Sequence, residues 1–195
     1  MRPIHPKSAK SFSRAAKLLL VGILAAMELA ACRRTEPAAE QQGSDLLNLS
    51  STSIQNGRFP AEFTCDGADH SPALAWKAPP SGTQSLAILL YDRDTPGNGF
   101  VHWVLFNLPP EMRSLPEGFQ QPAENRSGTQ LGVNDFGRIG YGGPCPPTGT
   151  HHYIFKVFAL ENRLSLPAGA TRAQLDQAIQ GHVLARGTLT AAYSH

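Results

Sequence analysis

Beyond about residue 45 the chain is a series of short apolar runs, LLNLSSTSI, LAW, SLAILLY, FVHWVLFNL, HHYIFKVFAL and VLARGTLTAAY, separated by Gly, Pro, Asn and Asp. Runs of this length that end in turn residues predict strands of an all-β sandwich or barrel. One stretch follows a different period. Thr171-Arg172-Ala173-Gln174 reads as a capping box ahead of LDQAIQ, and Gly181 suits the stop. Leu175, Ala178 and Ile179 share a helical face. The expected fold is mainly all-β, with one or two short helices, including one at about 171–180.

Residues 1–31 are not part of this pattern. A basic start, an apolar stretch from Leu18 to Met27 and small residues up to Cys32 have the form of an export signal. Leu29-Ala30-Ala31-Cys32 reads as a bacterial lipobox, in which Cys32 is diacylated through its sulfur. No aspartate follows Cys32 to mark inner-membrane retention. The expected address is the outer membrane, facing the periplasm if the cell is Gram-negative, with the lipid as the sole membrane contact. Residues 32–45 are polar and aperiodic, as in a flexible tether, and 46–195 form the folded domain.

Removing the leader changes the charge. It carries five of the 17 Lys/Arg and one of the 15 Asp/Glu, which leaves 12 basic and 14 acidic residues, a net charge of about −2. No basic stripe remains to attract nucleic acid. Cys65 and Cys145 also remain, and an even count in an exported chain argues for one disulfide.

Alternation along strands then places ionisable groups at strand ends. His151, Tyr153, Phe155, Val157 and Ala159 share a face, as do Leu86, Ile88, Leu90, Asp92 and, if the extension persists, Asp94. The same count sets His102 with Val104 and Phe106. Taken singly, Asp92 before Thr-Pro-Gly is a turn former, and a His beside Trp103 is a satisfied core residue. Three strands each presenting such a group near one end point instead to a pocket among loops on a rigid scaffold.

The quoted residues resemble a family. Thr64-Cys65-Asp66-Gly67, Ser71-Pro72 through Trp76, Asp92-Arg93-Asp94-Thr95-Pro96, Val101-His102-Trp103, Asn134-Asp135-Phe136-Gly137, Tyr141 to Gly149 and Thr150-His151-His152-Tyr153 occur in order across the domain. Together they resemble the phosphatidylethanolamine-binding protein (PEBP) family, in its bacterial YbhB/YbcL-type, Raf-kinase-inhibitor-like branch. The resemblance implies a β-sandwich of two antiparallel sheets with a small anion-accepting pocket at one end, lined by Asp92, Asp94, Pro96, His102, Gly143, His151 and Tyr153. It implies binding of phosphate-like or phospholipid head groups, with no cofactor and no catalysis. Two positions depart from the family pattern: Arg93 replaces a proline and His152 replaces an arginine.

Two carboxylates repel a phosphate unless they share a proton, are neutralised by protonated His102 or His151, or receive an ammonium group. Gly142 and Gly143 are expected to offer backbone N–H groups to the anion. Two other readings stay open. One is an exported protein-interaction module that inhibits a protease or signalling protein. The other is a hydrolase or metal-dependent enzyme using Asp92, Asp94, His102 and His151, although no HExxH or GxSxG motif is present.

Overall fold

The computed structural model describes residues 46–119 and 128–195. The expected signal peptide, the tether and the lipidated Cys32 lie outside the described residues. Among the described residues there are seven strands: β1 Leu74–Ala75, β2 Ser85–Asp92, β3 Phe100–Leu108, β4 Ser114–Leu115, β5 Gln130–Leu131, β6 Thr150–Leu160 and β7 Val183–Ser194. They form two antiparallel sheets, one of five strands in the order β5-β3-β2-β6-β7 and one of two, β1-β4.

The central sheet is buried on both faces, so β2 and β3 read as nearly continuous apolar runs. One face carries Leu86, Ile88, Leu90, Trp103, Tyr153, Phe155 and Val157, and packs on the small sheet through Leu74 and Leu115. The opposite face carries Ala87, Leu89, Val104, Phe106 and Phe158, and packs on Leu164, Leu175 and Ile179. The last two belong to the single α-helix of the described residues, α1 (Arg172–Ala178), and to its C-cap.

Thr171 caps α1 reciprocally with Gln174, as its sequence predicts. The helix also holds the site loop. Arg172 stacks 4.4 Å over the Tyr91 ring and donates to the carbonyl of Asn98. A 3-10 turn, Ala61–Phe63, precedes the disulfide between Cys65 and Cys145, whose Cα atoms are 5.5 Å apart.

Two expectations are corrected here. Leu46–Ile54 forms no strand: Asn48 turns to φ 43°, and only Ser50 makes an isolated bridge, to Ala75. Leu47 and Leu49 are nonetheless buried, so apolar content without strand geometry produced the expectation. The second concerns His102. Leu90 pairs with Trp103 while the next residue, Tyr91, pairs with Val101. His102 is the extra residue of a β-bulge, and its ring meets Tyr153 on the first face rather than joining Val104 and Phe106 on the second.

Candidate functional site

The site begins where β2 runs out. Asp92 pairs across the sheet with Phe100 on one side and Tyr153 on the other. This brings the end of β2 beside the starts of β3 and β6. The Asp92 carboxylate is 3% exposed. Its Oδ1 accepts the N–H of Asp94 at 2.8 Å, and its Oδ2 accepts the Thr95 hydroxyl at 3.0 Å and Nδ1–H of His151 at 2.6 Å. The same side chain therefore forms the turn and joins it to β6.

His102 is buried, and its Nδ1 lies 2.7 Å from the carbonyl oxygen of Gly142. A carbonyl only accepts, so Nδ1 carries the proton and Nε2 keeps its lone pair. Burial pushes the His102 pKa below its ordinary value, outweighing the Gly142 hydrogen bond and the nearby charge of Asp92. The lowered pKa and the Nδ1–H bond favour a neutral His102 acceptor, and among the ways of neutralising the carboxylates they disfavour a protonated His102.

The NDFG motif forms the opposite wall. Asn134 Oδ1 accepts the N–H groups of Phe136 and Arg138, and its Nδ2 donates to Gly140. Asp135 clamps this loop to β3, its Oδ2 accepting Val101 N–H at 2.7 Å. Phe136 is thereby laid against Phe100 and His102, with ring centroids 4.7 and 5.3 Å away.

The glycine pair is closely packed, and both of its N–H groups are taken within the fold. Gly142 N–H donates to the His102 carbonyl at 2.9 Å, and Gly143 N–H to Asp69 Oδ1 at 2.6 Å. A Cβ on Gly142 would stand 2.7 Å from the Phe136 ring, and one on Gly143 would stand 2.4 Å from the Phe63 carbonyl oxygen.

These walls enclose a cleft of about 320 Å³, lined by Asp92, Thr95, Pro96, Phe100, His102, Phe136, Cys145, Pro147 and His151. Of the residues named from sequence, Asp92, Pro96, His102 and His151 meet here. Tyr153 is fully buried with its ring against His102, and its hydroxyl has no partner among the described residues. Burial first, and Asp92 second, hold that phenol well above its ordinary pKa.

Asp94 and Gly143 are not in the lining. Asp94 Oδ2 accepts both N–H and Nδ1–H of His152, each at 2.7 Å, and the His152 hydrogen bond chiefly lowers its pKa. Arg93, 55% exposed, reaches the same carboxylate at 3.7 Å. The two departures from the family pattern thus converge on Asp94, outside the cleft. With Asp94 held by His152, a proton shared between Asp92 and Asp94 has no support. Thr95, Phe100, Phe136, Cys145 and Pro147 were not anticipated as lining. The signal for Phe136 was an aromatic residue in an otherwise polar, Gly-flanked loop.

A larger hollow of about 470 Å³ lies beside Asp69, Ser71 and Tyr141. Those polar groups are occupied within the fold. Asp69 accepts from Gly143 and Arg138, Ser71 Oγ accepts the N–H of Phe119, and Tyr141 donates to Phe63. The acidic turn and both of its neighbouring histidines lie at the smaller cleft.

The model of the family described as phosphatidylethanolamine-binding protein matches residues 50–194. A UPF0098 protein of Aquifex aeolicus is 43% identical over 155 residues, covering 77% of this chain and 90% of that protein. The UPF0098 protein YbhB of Escherichia coli is 42% identical over 133 residues, covering 66% and 84%. The crystal structure of the PEBP homolog CT736 from Chlamydia trachomatis superposes with a TM-score of 0.70 at 34% identity, covering 78% of this chain and 99% of that one. E. coli YbcL, described as a member of the mammalian PEBP family, also gives 0.70, at 30% identity and with 77% and 99% covered. Two antiparallel sheets, an acidic turn joined to a histidine at one sheet end, and these matches make the chain a member of the phosphatidylethanolamine-binding protein family, of YbhB/YbcL type.

Proposed function

We propose that the protein is a non-catalytic binding protein whose cleft receives the phosphate-like group of a small anion or a phospholipid head group. The observation that carries this reading is the division of polar roles around one cleft. Asp92 occupies Nδ1 of His151, which leaves Nε2 for a ligand, as an acceptor in the neutral ring and as a donor in the imidazolium. His102 has only the Nε2 lone pair to offer.

A donor from His151 as the imidazolium and an acceptor from neutral His102, beside a buried carboxylate, suit a singly charged phosphate or phosphomonoester, which brings both O⁻ and O–H. They also suit a zwitterion whose ammonium meets the acceptors. Asp92 repels a dianion.

No activated nucleophile lines the cleft among the described residues. The Thr95 hydroxyl donates to Asp92, Cys145 is held in the disulfide, and Ser71 is not in the lining. Asp94 does not join Asp92, His102 and His151 there, which disfavours the four-residue hydrolase or metal-enzyme reading. The protein is exported and held to the membrane by a lipid on Cys32, so the cleft samples solutes or head groups outside the cytoplasm.

Calorimetric titration of the purified protein with phosphate, phosphoethanolamine and glycerophosphoethanolamine tests this function. One saturable site is expected, weakened about tenfold or more in His151→Ala. Absence of binding at millimolar ligand, in folded protein, would remove the proposal.

A further inference from the structure

The disulfide lies at the protein surface, and a third metal-ligating side chain stands beside it. Cys65, Cys145 and His195 are all exposed, and their sulfur and ring-nitrogen atoms lie within 4.8 Å of one another. His195 is oriented by a carboxylate: its Nδ1 is 3.0 Å from Oδ2 of Asp66, an oxygen that also accepts the Tyr193 hydroxyl. A carboxylate on one imidazole nitrogen is the arrangement that fixes a metal-binding histidine and leaves the other nitrogen for the ion.

We propose that, once this disulfide is reduced, Cys65, Cys145 and His195 bind one thiophilic divalent ion such as zinc, with a fourth position open to water. Tetrahedral zinc, with sulfur about 2.3 Å and nitrogen about 2.0 Å from the metal, needs sulfurs roughly 3.8 Å apart and a nitrogen roughly 3.6 Å from each. The cysteine Cα atoms, 5.5 Å apart, allow that separation by rotation about χ1. His195 is 43% exposed and has room for the remaining adjustment.

Two thiolates neutralise the ion, and Asp66 raises the basicity of the imidazole. The redox step balances. A dithiol supplies two electrons and two protons and is itself oxidised to a disulfide, leaving two protein thiols, and the metal then displaces both thiol protons to solvent. In the oxidised protein these sulfurs have no thiolate to give, so the redox state decides whether the site exists. Cys145 also lines the cleft, but the trio uses neither cleft histidine, and metal binding is read without any anion ligand, so failure of one proposal does not decide the other.

The purified protein, reduced with a phosphine and kept under inert gas, is titrated with Co²⁺ while its far-ultraviolet circular dichroism is followed. The expected result is a thiolate-to-cobalt charge-transfer band that saturates at one equivalent, is bleached by Zn²⁺ and is absent from the oxidised protein. Cys65→Ser and Cys145→Ser should weaken or abolish the band. His195→Ala should lower the affinity more than tenfold with the band retained, and Asp66→Asn roughly tenfold. A reduced, folded protein without a stoichiometric band would overturn the proposal, as would unchanged affinity in His195→Ala. Loss of the fold on reduction would do the same, because the site needs the frame that holds Cys65 beside Cys145.

Discussion

His102 Nδ1 lies 2.7 Å from the carbonyl oxygen of Gly142, and this contact makes a buried histidine a neutral one. Its pKa in the fold is below the ordinary 6.5 because burial disfavours the charged ring. Between those two values the unfolded chain binds more protons than the folded one. The stabilisation is therefore present above about pH 6.5 and is lost as pH falls through the folded-state value. Urea unfolding midpoints should drop across this window. In His102→Gln, which keeps a donor for Gly142 but does not titrate, the drop should be shallower, although the variant is less stable at pH 7.

Asp92 and Asp94, two residues apart, should respond very differently to substitution. Asp92→Asn leaves a buried cluster of three donors facing an amide, and is expected to lose about 1–3 kcal/mol. Asp94→Asn disturbs an exposed pair with His152 and should cost less than about 1 kcal/mol. Denaturant unfolding of the two variants makes the comparison, and ligand affinity should follow Asp92 alone.

Gly143 and Gly142 separate stability from binding. Gly143→Ala drives a methyl group toward the Phe63 backbone and should destabilise by about 1–3 kcal/mol. Gly142→Ala meets the ring of Phe136, which is 40% exposed and can move aside. Its main effect should be weaker ligand binding with a smaller change in thermal midpoint.

Cys65→Ser should cost about 2–5 kcal/mol, since the bridge closes a loop between positions 80 residues apart. Cys145 also lines the cleft. Cys145→Ser should therefore shift ligand affinity as well as thermal stability, and calorimetry of both variants distinguishes the two effects.

Much of this fold was legible because strand alternation is a strong signal. It placed Tyr153, Phe155, Val157 and Ala159 on one face, and Leu86, Ile88 and Leu90 on another strand of that face. The Thr171 capping box was equally readable. His102 was assigned to the wrong face because a bulge adds one residue, and a one-residue slip reverses every side chain beyond it. Nothing in the local pattern marks that position.

Leu46–Ile54 misled for a related reason. Burial of Leu47 and Leu49 does not require a strand, and Asn48 bends the backbone. At the site, strand ends could be counted, so Asp92, His102 and His151 were found. Local bonds of Asn134 shape the Phe136 turn, but its position against β3 depends on the bond of Asp135 to the distant Val101 backbone, which sequence order does not reveal. The same holds for the glycine N–H groups, whose acceptors, His102 and Asp69, are remote in the chain.

The central claim is that His102 and His151 face one ligand in opposite roles, neutral His102 accepting at Nε2 and His151, as the imidazolium paired with Asp92, donating at Nε2. Imidazole nitrogen resonances of the purified protein, recorded with and without phosphoethanolamine, test this most directly. The account predicts a neutral His102 protonated at Nδ1 in both samples, with saturable ligand shifts at Nε2 of both histidines. A doubly protonated His102 at neutral pH, or ligand shifts that bypass both rings, would contradict it.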